Sequence, residues 1–185
     1  IDPNAAFYYY WSCIVAIGIV YNALATVIFI FGDVYSQFYG SWLSLNIFFD
    51  LVYAVDSMLM TRKIFIQEGM EVRNYSKTFW NYTKDPCQFF SNFHVGKYEI
   101  GGRFILDVLS LVPIDLLLFV QPSVSLLRIG RLFKVHRIAD FYEKAIKRAS
   151  FPHGAQIFFL ISACFIIFHW NACVYFLFSL AEGLS

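Results

Sequence analysis

The sequence predicts an all-α membrane protein: a bundle of four spanning helices, an interfacial linker helix and a fifth spanning helix. Three observations predict it. Of 185 residues, 59% are apolar and 15% charged, with 22 Phe and 12 Tyr. A soluble domain runs roughly 45–50% apolar and about 25% charged. Two long runs, Phe7 to Phe31 and Ala155 to Ala181, contain no Asp, Glu, Lys or Arg, and a spanning helix needs about 20 mostly apolar residues. Between them lie three weaker apolar runs, two carrying paired acids and one a row of cations. The same composition excludes disorder, whose signature is low hydrophobicity and high charge. A net charge of +1 gives no electrostatic footprint for nucleic acid.

The elements follow in order. The first helix, about 7–31, is flanked by Asp2 and Asp33; it is too long for a signal-peptide core and no basic region precedes it. The second, about 42–60, carries Asp50 and Asp56; the third, about 104–120, carries Asp107 and Asp115. Pro113 removes a backbone donor within the third and predicts a bend there. Gln121-Pro122-Ser123 makes a tight turn, with Ser123 as N-cap, into the fourth helix at about 123–141. These four form a bundle domain over residues 1–141. An amphipathic linker over 142–154, ending around Pro152, lies at the inner interface and leads to the fifth helix, 155–181, the start of a pore domain. No internal repeat is visible.

Orientation follows from the basic residues outside the membrane. The 32–41 and 121–127 connections hold no Lys or Arg, whereas 61–103 holds seven: Arg62, Lys63, Arg73, Lys77, Lys84, Lys97 and Arg103. Lys144, Lys147 and Arg148 follow the fourth helix. Alternating spans place both basic segments, and the amino terminus, in the cytoplasm. Asn74-Tyr-Ser76 and Asn81-Tyr-Thr83 fit the glycan acceptor pattern; on this topology they stay unmodified. The 74–103 stretch reads as a long loop with locally packed aromatics, not as another span.

The informative pattern is Arg128-Ile-Gly-Arg131-Leu-Phe-Lys134-Val-His-Arg137, a cation at every third position. Spacing of three drifts by about 60° per step in an α-helix but stacks on one face in a 3₁₀-helix. Each cation costs about 2.5–3.5 kcal/mol at the centre of a spanning helix. The row therefore needs acids on its neighbours, and the neighbours hold them. The second helix runs inward and the third outward, so Asp56 with Asp107 can form an inner acidic layer and Asp50 with Asp115 an outer one. Tyr53, one turn before Asp56, can plug the space between the layers. The other reading, an amphipathic helix on the cytoplasmic surface, leaves the aspartates unpaired and lacks a broad polar face. The pattern is that of a voltage-sensor-like bundle.

The other chemistry-bearing residues carry less. Cys13, Cys87, Cys164 and Cys173 form no C-x-x-C pair and read as small hydrophobes. His169, in the fifth helix, is expected to hydrogen-bond another helix; His136, beside the cation row, can titrate and modulate it; His94 and His153 fall on the solvent side. No Gly-rich phosphate loop, no H-E-x-x-H and no nucleophile with a base occur, so neither an enzyme nor a metal site is predicted.

Several segments resemble one family. Asp2-Pro3-Asn4 with Phe7-Tyr-Tyr-Tyr-Trp11 and Tyr21-Asn22, Asp50-Leu-Val-Tyr53-Ala-Val-Asp56 with Thr61-Arg62 and Gln67-Glu68-Gly69, Leu106-Asp-Val-Leu-Ser-Leu-Val-Pro113-Ile-Asp115-Leu-Leu, and Phe168-His-Trp-Asn-Ala-Cys-Val-Tyr175-Phe resemble cyclic-nucleotide-gated cation channel subunits. The resemblance covers nearly the whole chain. It implies that Arg128, Arg131, Lys134 and Arg137 are the sensor's basic residues, Asp56 and Asp107 their inner counter-charges, and Tyr53 the charge-transfer aromatic; Asp50 and Asp115 are the outer counter-charges on the helix pattern above. It also implies a tetramer, homo- or hetero-meric, in the plasma membrane. Such a channel passes Na⁺, K⁺ and Ca²⁺ in response to cGMP or cAMP, with weak voltage dependence. The loop from Ser76 to Gly101 is longer than the family usually shows. The sequence stops at Ser185, so the pore loop, filter, sixth helix and cyclic-nucleotide domain are expected outside it, and no cofactor is expected in these residues. Two rivals stand beside this: a stand-alone sensor that conducts protons through its own bundle, and a truncated regulatory or dominant-negative subunit.

Overall fold

The computed structural model describes residues 6–28, 32–67, 69–85, 93–95, 98–111 and 125–183. Two long helices come first, α1 (Ala6–Ile28) and α2 (Gly32–Thr61). Two hairpins, β1 (Phe65–Gln67) with β2 (Met70–Val72) and β3 (Phe93–Val95) with β4 (Tyr98–Ile100), flank a short helix, α3 (Tyr75–Lys84). Then come α4 (Gly102–Leu111), a 3₁₀-helix (Ser125–Val135), α5 (His136–Arg148) and α6 (Pro152–Ala181). The protein is an all-α membrane protein. Three helices, Ala6–Val27, Gln37–Thr61 and Pro152–Leu180, are long and apolar enough to cross a bilayer.

Several boundaries differ from the sequence expectation. Helix α2 starts at Gly32 rather than near residue 42, so the expected 32–41 connection is helical. Its one described breaker is Gly40, which in a helix costs only about 1 kcal/mol, and the Ser44 hydroxyl donates to the Gly40 carbonyl at 2.9 Å. The 61–103 segment is not a plain loop. Asn74 caps α3 by accepting from the Ser76 N–H at 3.1 Å, and Thr78, Tyr82 and Thr83 are buried. The basic helix changes character at His136 and continues unbroken to Arg148, past the expected boundary at 141. The second part of the expected third helix, with Pro113 and Asp115, and the turn at Ser123 lie outside the described residues, as does Cys87.

Packing joins these elements into one bundle. Val15, Ile19, Val52 and Tyr53 form one buried cluster, with Trp11, Leu111 and Ile138 against it. Tyr8, Met60 and Tyr82 form another, with Phe104 alongside. Helices α1 and α2 approach closely where Gly18 meets Phe49: a Cβ on Gly18 would come within 2.6 Å of the ring. Helix α6 leans on α1 through the Trp170 indole, which donates to the Ala23 carbonyl at 2.8 Å, with the His169 ring 3.4 Å from the Leu24 carbonyl. It also packs on α5, where the Phe159 ring lies 5.1 Å from Tyr142 and 5.8 Å from Phe141. The thiols of Cys13, Cys164 and Cys173 are free.

Candidate functional site

The 3₁₀ geometry of Ser125–Val135 explains how a spacing of three becomes one face. With about three residues per turn, Arg131 and Lys134 rise one above the other, and Arg137 follows in the first turn of α5. Runs of 3₁₀-helix beyond three or four residues are uncommon; here the run lasts 11 residues and carries Arg128, Arg131 and Lys134. Arg128 belongs to the same helix, and its side chain lies outside the described residues.

Each described cation meets a distinct set of partners. The Arg131 guanidinium donates to Asp50 Oδ2 at 3.0 Å and to the Ser110 carbonyl at 2.5 Å. Lys134 is fully buried: its ammonium donates to the Tyr53 carbonyl at 3.0 Å and to Ser57 Oγ at 2.8 Å. It sits 3.4 Å from Asp56 Oδ2 and 3.5 Å from Asp107 Oδ1. Its Nζ is 5.3 Å from the centroid of the Tyr53 ring. Arg137 grips Asp56 with two parallel bonds, Nε to Oδ2 at 3.1 Å and Nη2 to Oδ1 at 2.9 Å. It also donates to Asp140 at 2.9 Å and to the Tyr8 hydroxyl at 3.3 Å. This fork-to-carboxylate geometry is the strongest ion-pair form available to arginine.

The acids are held as firmly as the cations. Asp56 is fully buried and also accepts from the Trp11 indole at 3.1 Å. The Tyr53 hydroxyl accepts from Asn22 at 3.0 Å, which fixes the ring beneath Lys134. Asp50 and Arg131 meet at the more open end, where the Asp50 side chain is 30% exposed; Asp56 and Asp107 meet Lys134 in the closed interior. Tyr53 thus lies between the pairing of Arg131 and that of Arg137. Asp115 is outside the described residues, so the outer layer is described by Asp50 alone. His136 is buried beside Asp107, with its Nε2 3.5 Å from Oδ1 and its Nδ1 3.1 Å from the Phe133 carbonyl. His153 is exposed.

Several members of this network were not foreseen from sequence. Tyr82, from the segment read as a loop, donates its hydroxyl to Asp107 Oδ2. Burial and the neighbouring carboxylate push the Tyr82 pKa up, so the hydroxyl stays a donor. Tyr8 and Trp11 reach the site from the first turns of α1. Arg103, from the first turn of α4, pairs with Asp140 at 3.2 Å. The aromatic run at the start of α1 was the available signal for Tyr8 and Trp11. No local pattern marked Tyr82. Among the described residues, no group of three or more His, Cys, Asp and Glu could hold a metal ion.

Comparison with known proteins adds a family context. No family model matches the chain. Curated relatives do: the chain is 30% identical over 179 residues to the "Cyclic nucleotide-gated cation channel" of Ictalurus punctatus, covering 96% of this chain and 24% of the relative. It is 31% identical over 187 residues to "Cyclic nucleotide-gated channel alpha-3" of Homo sapiens, covering 100% of this chain and 25% of the relative. The rat "Cyclic nucleotide-gated channel alpha-2" is 30% identical over 190 residues, covering 26% of its own length. The chain thus spans about a quarter of the length of these relatives. They are ion channels and not enzymes, which agrees with the sequence reading of a non-enzyme.

Proposed function

We propose, from the premise that this chain is homologous over its whole length to cyclic nucleotide-gated channel subunits, that it is the sensor portion of such a subunit. The complete subunit assembles as a homo- or hetero-tetramer in the plasma membrane. It passes Na⁺, K⁺ and Ca²⁺ when cGMP or cAMP binds a cytoplasmic domain outside these 185 residues, and it responds weakly to voltage. The observation that supports this best is the ladder of Arg131, Lys134 and Arg137 on Asp50, Asp56 and Asp107, with Tyr53 between the steps.

The ladder's chemistry suits charge displacement. A cation that leaves one carboxylate must find another nearby, because an unpaired charge in a dry bundle is costly. The acids on α2 and α4 supply successive partners, and the 3₁₀ register lets a short axial slide exchange Lys134 for Arg131 without rotating the helix. One charge moved through the full field is worth about 2.3 kcal/mol per 100 mV. Four charges set a ceiling of about 9 kcal/mol per subunit at that voltage. Motion of the basic helix reaches α6 through α5, whose Phe141 and Tyr142 rings abut Phe159.

Excised inside-out patches from cells expressing the polypeptide that carries this sequence test the reading. Expected is a cation current evoked by cGMP or cAMP, with the half-activating concentration or its voltage dependence shifted severalfold by Arg131→Gln. A proton-selective current, or one indifferent to both nucleotides, overturns it. The orientation has its own test. With the 61–103 segment and the amino terminus in the cytoplasm, Asn74 and Asn81 remain unmodified; a mobility shift on endoglycosidase treatment overturns that topology.

A further inference from the structure

His136 stands where the 3₁₀-helix becomes α5, and its side chain is buried. Both ring nitrogens face acceptors. Nδ1 lies 3.1 Å from the Phe133 carbonyl oxygen, and Nε2 lies 3.5 Å from Asp107 Oδ1. A neutral imidazole carries one N–H, so in either tautomer one nitrogen turns a lone pair toward an oxygen; the imidazolium donates from both. Asp107 presents the matching deficit. Its side chain is 3% exposed, and among the described residues Oδ1 accepts no hydrogen bond, whereas Oδ2 takes the Tyr82 hydroxyl. Lys134 Nζ also lies 3.5 Å from Oδ1, but its hydrogen bonds go to the Tyr53 carbonyl and Ser57. A buried acceptor without a donor is costly, and His136 Nε2 is placed to supply one.

The surrounding charges make that proton an exchangeable one. From α4 come Asp107 and Arg103, from α2 Asp56, and from the basic segment itself Lys134, Arg137 and Asp140. Helix α3 contributes the Tyr82 hydroxyl and α1 the Tyr8 hydroxyl, which accepts from Arg137 at 3.3 Å. Helix α6 meets α5 through the Phe159 ring, which does not titrate. Arg103, Lys134 and Arg137 thus balance Asp56, Asp107 and Asp140 while His136 is neutral. A proton on the imidazole adds the one surplus charge, so the hydrogen-bonding geometry favours it and the charge balance opposes it.

We propose that His136 and Asp107 form a buried proton-binding site that acidification fills. One proton from solvent makes the second ring N–H, and Asp107 Oδ1 gains its donor. The carboxylate then bridges two cations of the basic segment, Lys134 and His136, and ties the junction of the 3₁₀-helix and α5 to α4. In a sensor, a filled site opposes displacement of the basic helix. That consequence rests on the function proposed above; the proton site does not, and its failure would leave that function standing.

The purified chain in neutral detergent, labelled with ¹³C at histidine Cε1, tests the site by NMR without channel activity. Loss of one signal in His136→Gln assigns the ring, and a cooperative thermal melt verifies the fold of each variant. Expected is passage of the His136 signal from the neutral to the imidazolium position as pH falls from about 9 to about 5. Asp107→Asn removes the facing negative charge and should weaken proton affinity about tenfold, with exposed His153 unmoved. Tyr82→Phe removes the donor on Oδ2, leaves more charge on the carboxylate, and should strengthen the affinity severalfold. A ring that stays neutral down to about pH 5, or a midpoint indifferent to Asp107→Asn, overturns the proposal. Should Asp107→Asn unfold, Tyr82→Phe decides, because it keeps the carboxylate: an unmoved His136 midpoint there overturns the site.

Discussion

The basic helix and α6 find their partners in different places. Lys134, Asp56 and Asp107 are 0–2% exposed, and each meets oppositely charged groups on other helices of the same chain. In Pro152–Leu180 only 6% of the most apolar stretch is buried, against 50% in Ala6–Val27. Phe158, Phe165, Phe168 and Tyr175 stand more than 60% exposed along α6. Charge and apolarity explain the contrast. A desolvated cation requires a fixed counter-charge and loses several kcal/mol without it, so the basic helix must complete its contacts within the bundle. An apolar helix in a bilayer has no such requirement, because lipid tails satisfy it as well as leucine does.

The comparison can be broken most sharply at Asp56. Asp56→Ala leaves Arg137 and Lys134 buried beside a missing carboxylate, and it is expected to cost about 3–5 kcal/mol. Thermal unfolding in detergent measures this. A loss below about 1 kcal/mol, the scale of a surface pair, would erase the contrast. A smaller effect follows from Tyr82→Phe. It removes the hydroxyl donor from buried Asp107 and should cost about 1–3 kcal/mol. If the variant unfolds at the native denaturant midpoint, α3 is not part of the charged core.

On the α6 side the expected effects shrink. Trp170→Phe removes the bond to the Ala23 carbonyl and should cost about 1 kcal/mol, whereas Phe168→Leu on the exposed face should stay within about 0.5 kcal/mol. Equal losses from the two would mean that the exposed face packs within the bundle after all. A separate check is the titration of Lys144, with a pKa near 8 in the fold against 10.5 in a free lysine. Because the folded pKa is lowered, the unfolded chain binds more protons between these values, and stability rises as pH climbs from about 8 toward 10.5. Melting temperatures across that interval should climb in the native chain and flatten in Lys144→Met.

Much of this organisation was legible in local patterns. The uncharged runs announced α1 and α6, and the three-residue spacing of Arg131, Lys134 and Arg137 announced a helix with one cationic face. The acids at 50, 56 and 107 stood out because aspartate is rare in apolar runs. Illegible were the features that depend on distant segments. Tyr82 sits in a stretch with no hydropathy signal, and its value to the site comes from meeting Asp107 across 25 residues of chain. Arg103 counted only among the seven basic residues of the 61–103 connection and Asp140 gave no signal of its own, yet they pair across 37 residues. The start of α2 at Gly32 escaped because a weakly apolar, glycine-containing stretch gives neither a helix signal nor a strong break.

By itself the sequence determined the class of the molecule and the helix that carries its charges. Hydropathy and spacing are properties of a few consecutive residues, and the cost of placing ions in hydrocarbon leaves few alternatives. Only the tertiary structure decided which acid meets which cation. Arg137 and Asp56 stand 81 residues apart, and bringing them together depends on helix packing, on Gly18 letting α1 and α2 close, and on the 3₁₀ register that turns Lys134 toward Tyr53.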